Sequence, residues 1–186
     1  MIKIFIDQGH NPRNPNSGAE GNGLQEGDLT YKIGIKLRDL LNSNPGFSSI
    51  TSRNTPDEVL GTSNAASLAA RTNAANSWGA DYFVSLHCNA AADPSVKGSE
   101  GYVYSLSSAA LPLAQSMLQG LYNITGTVSR GVFARPTLYV LRKTAMPAAL
   151  LELGFITNPE EAAAMNNDPT SYATGLYNGI VSFFGV

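Results

Sequence analysis

Short apolar runs alternate with amphipathic helical stretches along this whole chain, and that alternation limits the fold more than any other feature. Apolar runs of this length, bounded by turn residues, read as strands buried on both faces. They occur as IKIFI (2–6), FSSITSR (47–53), DYFVSLH (81–87), GSEGYVYSL (98–106), TLYVLR (137–142) and PAALLEL (147–153). Between them the period changes. From Asp28, residues Leu29, Ile33, Leu37, Leu40 and Leu41 share one helical face, and NSNPG stops the helix. NAASLAARTNAANSWGAD reads as an Ala-rich helix ended by Gly79, and AALPLAQSMLQGLYNIT stacks Leu113, Met117, Leu121 and Ile124. NPEEAAAMNN opens with an Asn cap, a proline at the first helical position and acids in the first turn. A last helix buries Tyr172, Leu176, Ile180, Phe183 and Phe184. Strands separated by helices are joined by crossovers. The pattern therefore predicts one α/β domain over 1–186, a mostly parallel twisted sheet of about six strands with helices on both faces.

Composition narrows the function. The chain has one cysteine, Cys88, so it forms no internal disulfide and no Cys-rich zinc site. A net charge of -2 gives no electrostatic case for nucleic acid. No run approaches the roughly 18 apolar residues of a membrane span, so no membrane insertion is expected. The opening MIKIFIDQGH holds no apolar core long enough for a signal peptide. The chain is expected to reach its place of action by another route, phage delivery included, or to be a domain cut from a longer protein. A monomer is expected.

Three apolar runs end in chemically capable residues: IFIDQGH, YFVSLHCN and ALLELGF. In open α/β sheets the carboxyl ends of strands carry the site. The two histidines of the chain, His10 and His87, each follow a strand closely. If those strands are neighbours, the imidazoles meet at one sheet end, and two imidazoles plus a carboxylate make a catalytic zinc set. Glu20 and Glu26 are both available as that carboxylate, Glu26 at a helix entrance where the backbone aims it. Structural readings compete: hydrogen-bonded histidines at strand ends, Glu26 as a first-turn acid answering the helix dipole, and Glu152 as a buried acid paired with Arg130 or Arg142. Cys88 beside His87 suggests a nucleophile pair, but successive strand side chains point to opposite faces.

Taken together the motifs resemble the zinc-dependent N-acetylmuramoyl-L-alanine amidases of the amidase-3 type, nearly end to end. IFIDQGHN is similar to the opening strand and Asp-Pro-Gly-His turn of that family, with Gln8 in place of the proline. NGLQEGDLTYKIGIKLRDLL resembles its Gly-Leu-x-Glu helix entry, and LAARTNAANSWGADYFVSLHCNA its Arg-bearing helix and His-x-Asn-Ala strand end. SRGVFARPTLYVLRKTAMPAALLELGFITNPEE is similar to its Arg-Gly-Val, Val-Leu-Arg and Leu-x-Glu-x-Gly-Phe elements. The resemblance implies an amidase catalytic domain over 1–186 that holds one Zn2+ per chain through His10, Glu26 and His87, with Glu152 as the catalytic carboxylate. It implies cleavage of the amide between N-acetylmuramic acid and L-alanine in peptidoglycan, at the bacterial cell wall. Asn89, Arg130 and Arg142 are the expected substrate contacts, and Arg135 and Lys143 are further cations suited to stem carboxylates. The alternatives are a zinc carboxypeptidase acting on wall peptides and a peptidoglycan-binding module without turnover. The short CNAAADPSVKG segment leaves no room for an autoinhibitory insertion, so an open site is expected.

Overall fold

The computed structural model describes residues 1–186. Strand β1 (Ile2–Gln8) leads through a long turn to a small hairpin, β2 (Glu20–Gly21) and β3 (Leu24–Gln25). Then follow α1 (Glu26–Ser43), β4 (Phe47–Thr51), α2 (Asn64–Trp78), β5 (Tyr82–Asn89) and β6 (Ser99–Val103). The chain ends with α3 (Ala110–Thr125), β7 (Ser129–Ala134), α4 (Tyr139–Lys143), β8 (Ala148–Phe155), α5 (Pro159–Asn167) and α6 (Pro169–Phe184). The main sheet has the order β4-β1-β5-β8-β6-β7. Its first four strands are parallel neighbours; β6 runs antiparallel to β8, and β7 is parallel to β6.

Strand alternation divides the core between two faces. Ile4, Ile6, Val84, Leu86, Ala149 and Leu151 meet α1, α3 and α6, forming the larger cluster. Phe5, Phe83 and Leu150 face the other way, under Ala75 of α2 and Val140 and Leu141 of α4. The thinner face carries His87 and Glu152, which alternate in step with Phe83 and Leu150. Helices α3 and α6 are in backbone contact. A Cβ on Gly120 would lie 2.1 Å from the Gly175 carbonyl oxygen, so only glycine fits there.

Two local expectations are corrected. TLYVLR is the short helix α4 with its lead-in, not a strand. Its β-branched and aromatic residues mimic a strand, but Val140 and Leu141 form a lid on the sheet face instead of joining the sheet. The sixth strand is β7, whose sequence SRGVFA has no fully buried residue and contains Gly131 at φ 107°. As an edge strand it needs no continuous apolar run, and only its pairing with β6 defines it. Helix α1 begins at Glu26 rather than Asp28.

Candidate active site

The carboxyl ends of β1, β5 and β8 lie side by side. Gln8 pairs with Leu86, and His87 pairs with Glu152 in parallel register. The donor atoms of His10, Glu26 and His87 all lie within 4.8 Å of one another. The imidazole centroids of His10 and His87 are 4.8 Å apart with the rings near perpendicular. Glu20, by contrast, is exposed on the β2–β3 hairpin and stays outside the cluster.

Each of the three donors is held by the surrounding chain. Glu26 is the first residue of α1, yet only 3% of it is exposed, which a solvated dipole partner would not be. Its Oε1 accepts hydrogen bonds from the Cys88 backbone N–H at 2.9 Å and lies 3.0 Å from His87 Nδ1. Its Oε2 accepts from the Ala19 N–H at 2.8 Å and lies 3.3 Å from His10 Nε2. Burial raises the carboxyl pKa, but the hydrogen bonds and charges of the two histidines outweigh it and hold Glu26 well below the carboxylate range. Burial lowers His87, and contact with Glu26 more than offsets that, so His87 is raised. His10 sits at φ 68°, a left-handed backbone rare outside glycine, and its Nδ1 is 2.9 Å from Asn16 Oδ1. With Nδ1 as the N–H donor to Asn16, the lone pair is on Nε2, which faces Glu26 and the cluster centre.

Glu152 occupies the remaining side. Its Oε2 is buried without a hydrogen-bond partner. Burial is the main cause that pushes its pKa up to about 7; His87 opposes the shift, and the carboxylates Glu26 and Glu100 add to it. Neither arginine of the structural reading is its partner, since Arg130 pairs with Glu100 through Nε and Oε1, and Arg142 is exposed on α4. A buried, unpaired carboxyl that titrates near neutrality beside three convergent donors has the properties of a general base. Two imidazoles and one carboxylate fit a catalytic zinc, the donor set leaving further coordination positions open. Cys88 points into the opposite core, its Sγ 3.7 Å from Met165 Sδ, and burial raises its thiol far above the usual range, which removes it from the chemistry.

The fold has close relatives among solved structures. The catalytic domain of the N-acetylmuramoyl-L-alanine amidase CwlV from Bacillus (Paenibacillus) polymyxa var. colistinus superimposes with a TM-score of 0.85 at 28% identity, covering 100% of this chain and 99% of that one. The family profile described as N-acetylmuramoyl-L-alanine amidase matches residues 4–182. This chain belongs to that amidase family. Among curated relatives, the amidase CwlM of Bacillus licheniformis is 38% identical over 190 residues, with 100% of this chain and 70% of that protein covered. The sporulation-specific N-acetylmuramoyl-L-alanine amidase of Bacillus subtilis is 39% identical over 190 residues, covering 100% and 69%.

In this amidase-family chain several supporting residues have roles that the sequence did not assign. Asn16, in the polar turn after β1, holds His10 and in turn donates to Ser67 Oγ at 3.1 Å. A Cβ on Gly9 would lie 2.5 Å from the His87 ring, and one on Gly18 would lie 2.6 Å from His10 and 2.7 Å from Glu26, so both glycines let backbone close over the donors. Arg71 of α2 is buried; it pairs with Asp7 at 2.7 Å and donates to the His10 carbonyl oxygen at 2.6 Å, fixing the turn that presents His10. Gln8, where the family resemblance has proline, does not leave that turn loose: its Oε1 accepts from the Arg53 N–H at 2.9 Å. Of the expected substrate contacts, Asn89 is half-buried at the end of β5, its Oδ1 bound to the Ala90 N–H. No helix forms between β5 and β6. No helix is long and apolar enough to cross a membrane.

Proposed function

We propose that this amidase-family chain hydrolyses the amide between N-acetylmuramic acid and the L-alanine of the peptidoglycan stem, with His10, Glu26 and His87 holding one Zn2+ and Glu152 moving the proton. The observation that carries this reading is the unpartnered, buried Oε2 of Glu152 beside three donors that lie within 4.8 Å of one another. Bound zinc supplies Lewis-acid polarisation of the scissile carbonyl. Glu152 Oε2 takes a proton from the attacking water and delivers it to the departing alanine nitrogen, a task matched to its pKa of about 7. Asn16, through His10 Nδ1, keeps the imidazole in the tautomer with Nε2 free to ligate. The Ala19 and Cys88 N–H groups hold the two oxygens of Glu26 so that the carboxylate keeps one orientation. Residues 1–186 act as a catalytic domain at the bacterial cell wall and as a monomer.

Digestion of purified peptidoglycan tests the reading. Amidase action releases stems with a new N-terminal alanine, whereas a carboxypeptidase releases free amino acids from stem C-termini and a binding module releases nothing. Glu152→Gln is expected to keep one zinc by elemental analysis and to lose about 10²–10⁴-fold in turnover. His87→Ala is expected to lose the metal. Near-normal turnover by the first variant, or full zinc in the second, removes the assignment.

A further inference from the structure

Beyond Glu152 the sheet face continues without a covering helix. Alternation puts Glu100 and Tyr102 of β6 on that face, with Glu100 opposite Glu152 and Tyr102 opposite Leu150. Tyr102 is thus a diagonal neighbour of Glu152, about 7–8 Å away on an antiparallel ladder. One strand further out Tyr102 pairs with Phe133 of β7, their ring centroids 6.4 Å apart, and Phe133 is 43% exposed. The Arg135 guanidinium carbon lies 5.3 Å from the centre of the Tyr102 ring.

The two arginines of this corner are in different states. Arg130 is neutralised by Glu100, which also accepts the Tyr102 hydroxyl. Arg135 forms no ion pair and no side-chain hydrogen bond; only its backbone is engaged, the N–H donating to the Val103 carbonyl at 2.8 Å. A guanidinium resting on an aromatic face keeps its donor edge free for a planar, bidentate partner. An extended peptide advances about 3.3–3.6 Å per residue. At that rise, a peptide running from Glu152 across β6 and β7 would have its second and third residues over Tyr102 and Phe133.

We infer that the Tyr102–Phe133–Arg135 corner is the binding site for the stem peptide on the leaving side of the scissile amide, where Arg135 pairs with a free carboxylate of the stem and Phe133 covers its aliphatic part. The stem is the occupant that fits, because a neutral sugar strand offers Arg135 no opposite charge. This deepens the amidase reading and rests on it, making Arg135 a specificity-determining residue that favours acidic stems over amidated ones.

Titration calorimetry of zinc-loaded protein tests this with two synthetic stem tripeptides that begin with L-alanine, one with a free carboxylate on its second residue and one amidated there. Wild type is expected to bind the acid about 10-fold more tightly than the amide, the scale of a bidentate charge-assisted pair. Arg135→Gln is expected to bind both alike while keeping its zinc and melting temperature, and Arg135→Lys to retain part of the preference. On peptidoglycan, R135Q raises KM at nearly constant kcat. Equal affinities in wild type, an undiminished preference in R135Q, or a loss confined to kcat overturns the inference. Because binding is read at equilibrium without turnover, this outcome is separate from the amidase reading, which stands or falls on release of N-terminal alanine.

Discussion

Glu152 shows how one residue is given its chemistry by its surroundings. It is an acid on a strand whose other inward neighbours are apolar, and burial raises its proton affinity to the neutral range. The rate of hydrolysis is therefore expected to fall with falling pH as this base becomes protonated. Stability runs the other way. The folded pKa lies above the ordinary value of 4.5, so the stability contributed by this group is full below pH 4.5 and is lost as pH rises through about 7. In chelator-treated protein, thermal melts should show E152Q gaining on wild type between those two pH values, with a constant difference above them. A difference that does not change with pH would mean that Glu152 titrates normally.

At the level of elements, the turn after β1 is the least regular part of the site and does much of its positioning. Its residues Asn16, Gly18 and Ala19 touch His10 and Glu26 directly. Removal of a group that orients a histidine ligand typically costs about 10–100-fold in metal affinity. Asn16→Ala is accordingly expected to weaken zinc binding by that factor, measured by competition with a chelating dye, with secondary structure unchanged. Unaltered affinity would assign Asn16 to loop structure alone. Helix α2 supports the same turn from behind, since Arg71 reaches Asp7, the His10 carbonyl and Asn11 with its charge fully buried. The short hairpin β2–β3 ends at Gln25, directly before Glu26, so it sets where α1 begins.

For the molecule as a whole, the larger core lies on one face of the sheet and the site at the carboxyl ends of its strands. Helices α3 and α6 touch through glycines, and a Cβ on Gly179 would lie 2.5 Å from Met117 Cα and 2.5 Å from the Ser116 carbonyl oxygen. Gly179→Ala therefore forces the two backbones apart, and overpacking of this kind costs about 1–3 kcal/mol. The melting temperature is expected to fall by several degrees, while zinc content and kcat below the transition stay at wild-type values. Loss of activity at an unchanged melting temperature would show instead that the α3–α6 contact governs the site.

The parallel core strands, every helix except α4, and the three strand ends that carry His10, His87 and Glu152 follow from the residues alone. These were legible because burial on both faces imposes continuous apolar runs, and because the carboxyl ends of strands in an open α/β sheet are where a site forms. The preference for Glu26 over Glu20 came from its place at a helix entrance and from family resemblance; in the structure Glu26 is buried and lies against both histidines. Edge strand β7 and lid helix α4 were not legible, because an exposed edge needs no apolar pattern and a five-residue helix has too few turns to show one. Only the tertiary structure decided that Arg130 belongs to Glu100, that Glu152 keeps a free oxygen, and that Asn16 and Arg71 hold His10. The physical reason is distance along the chain. Periodicity reports contacts within an element, whereas these pairings join residues from separate elements and arise only when the sheet brings them together.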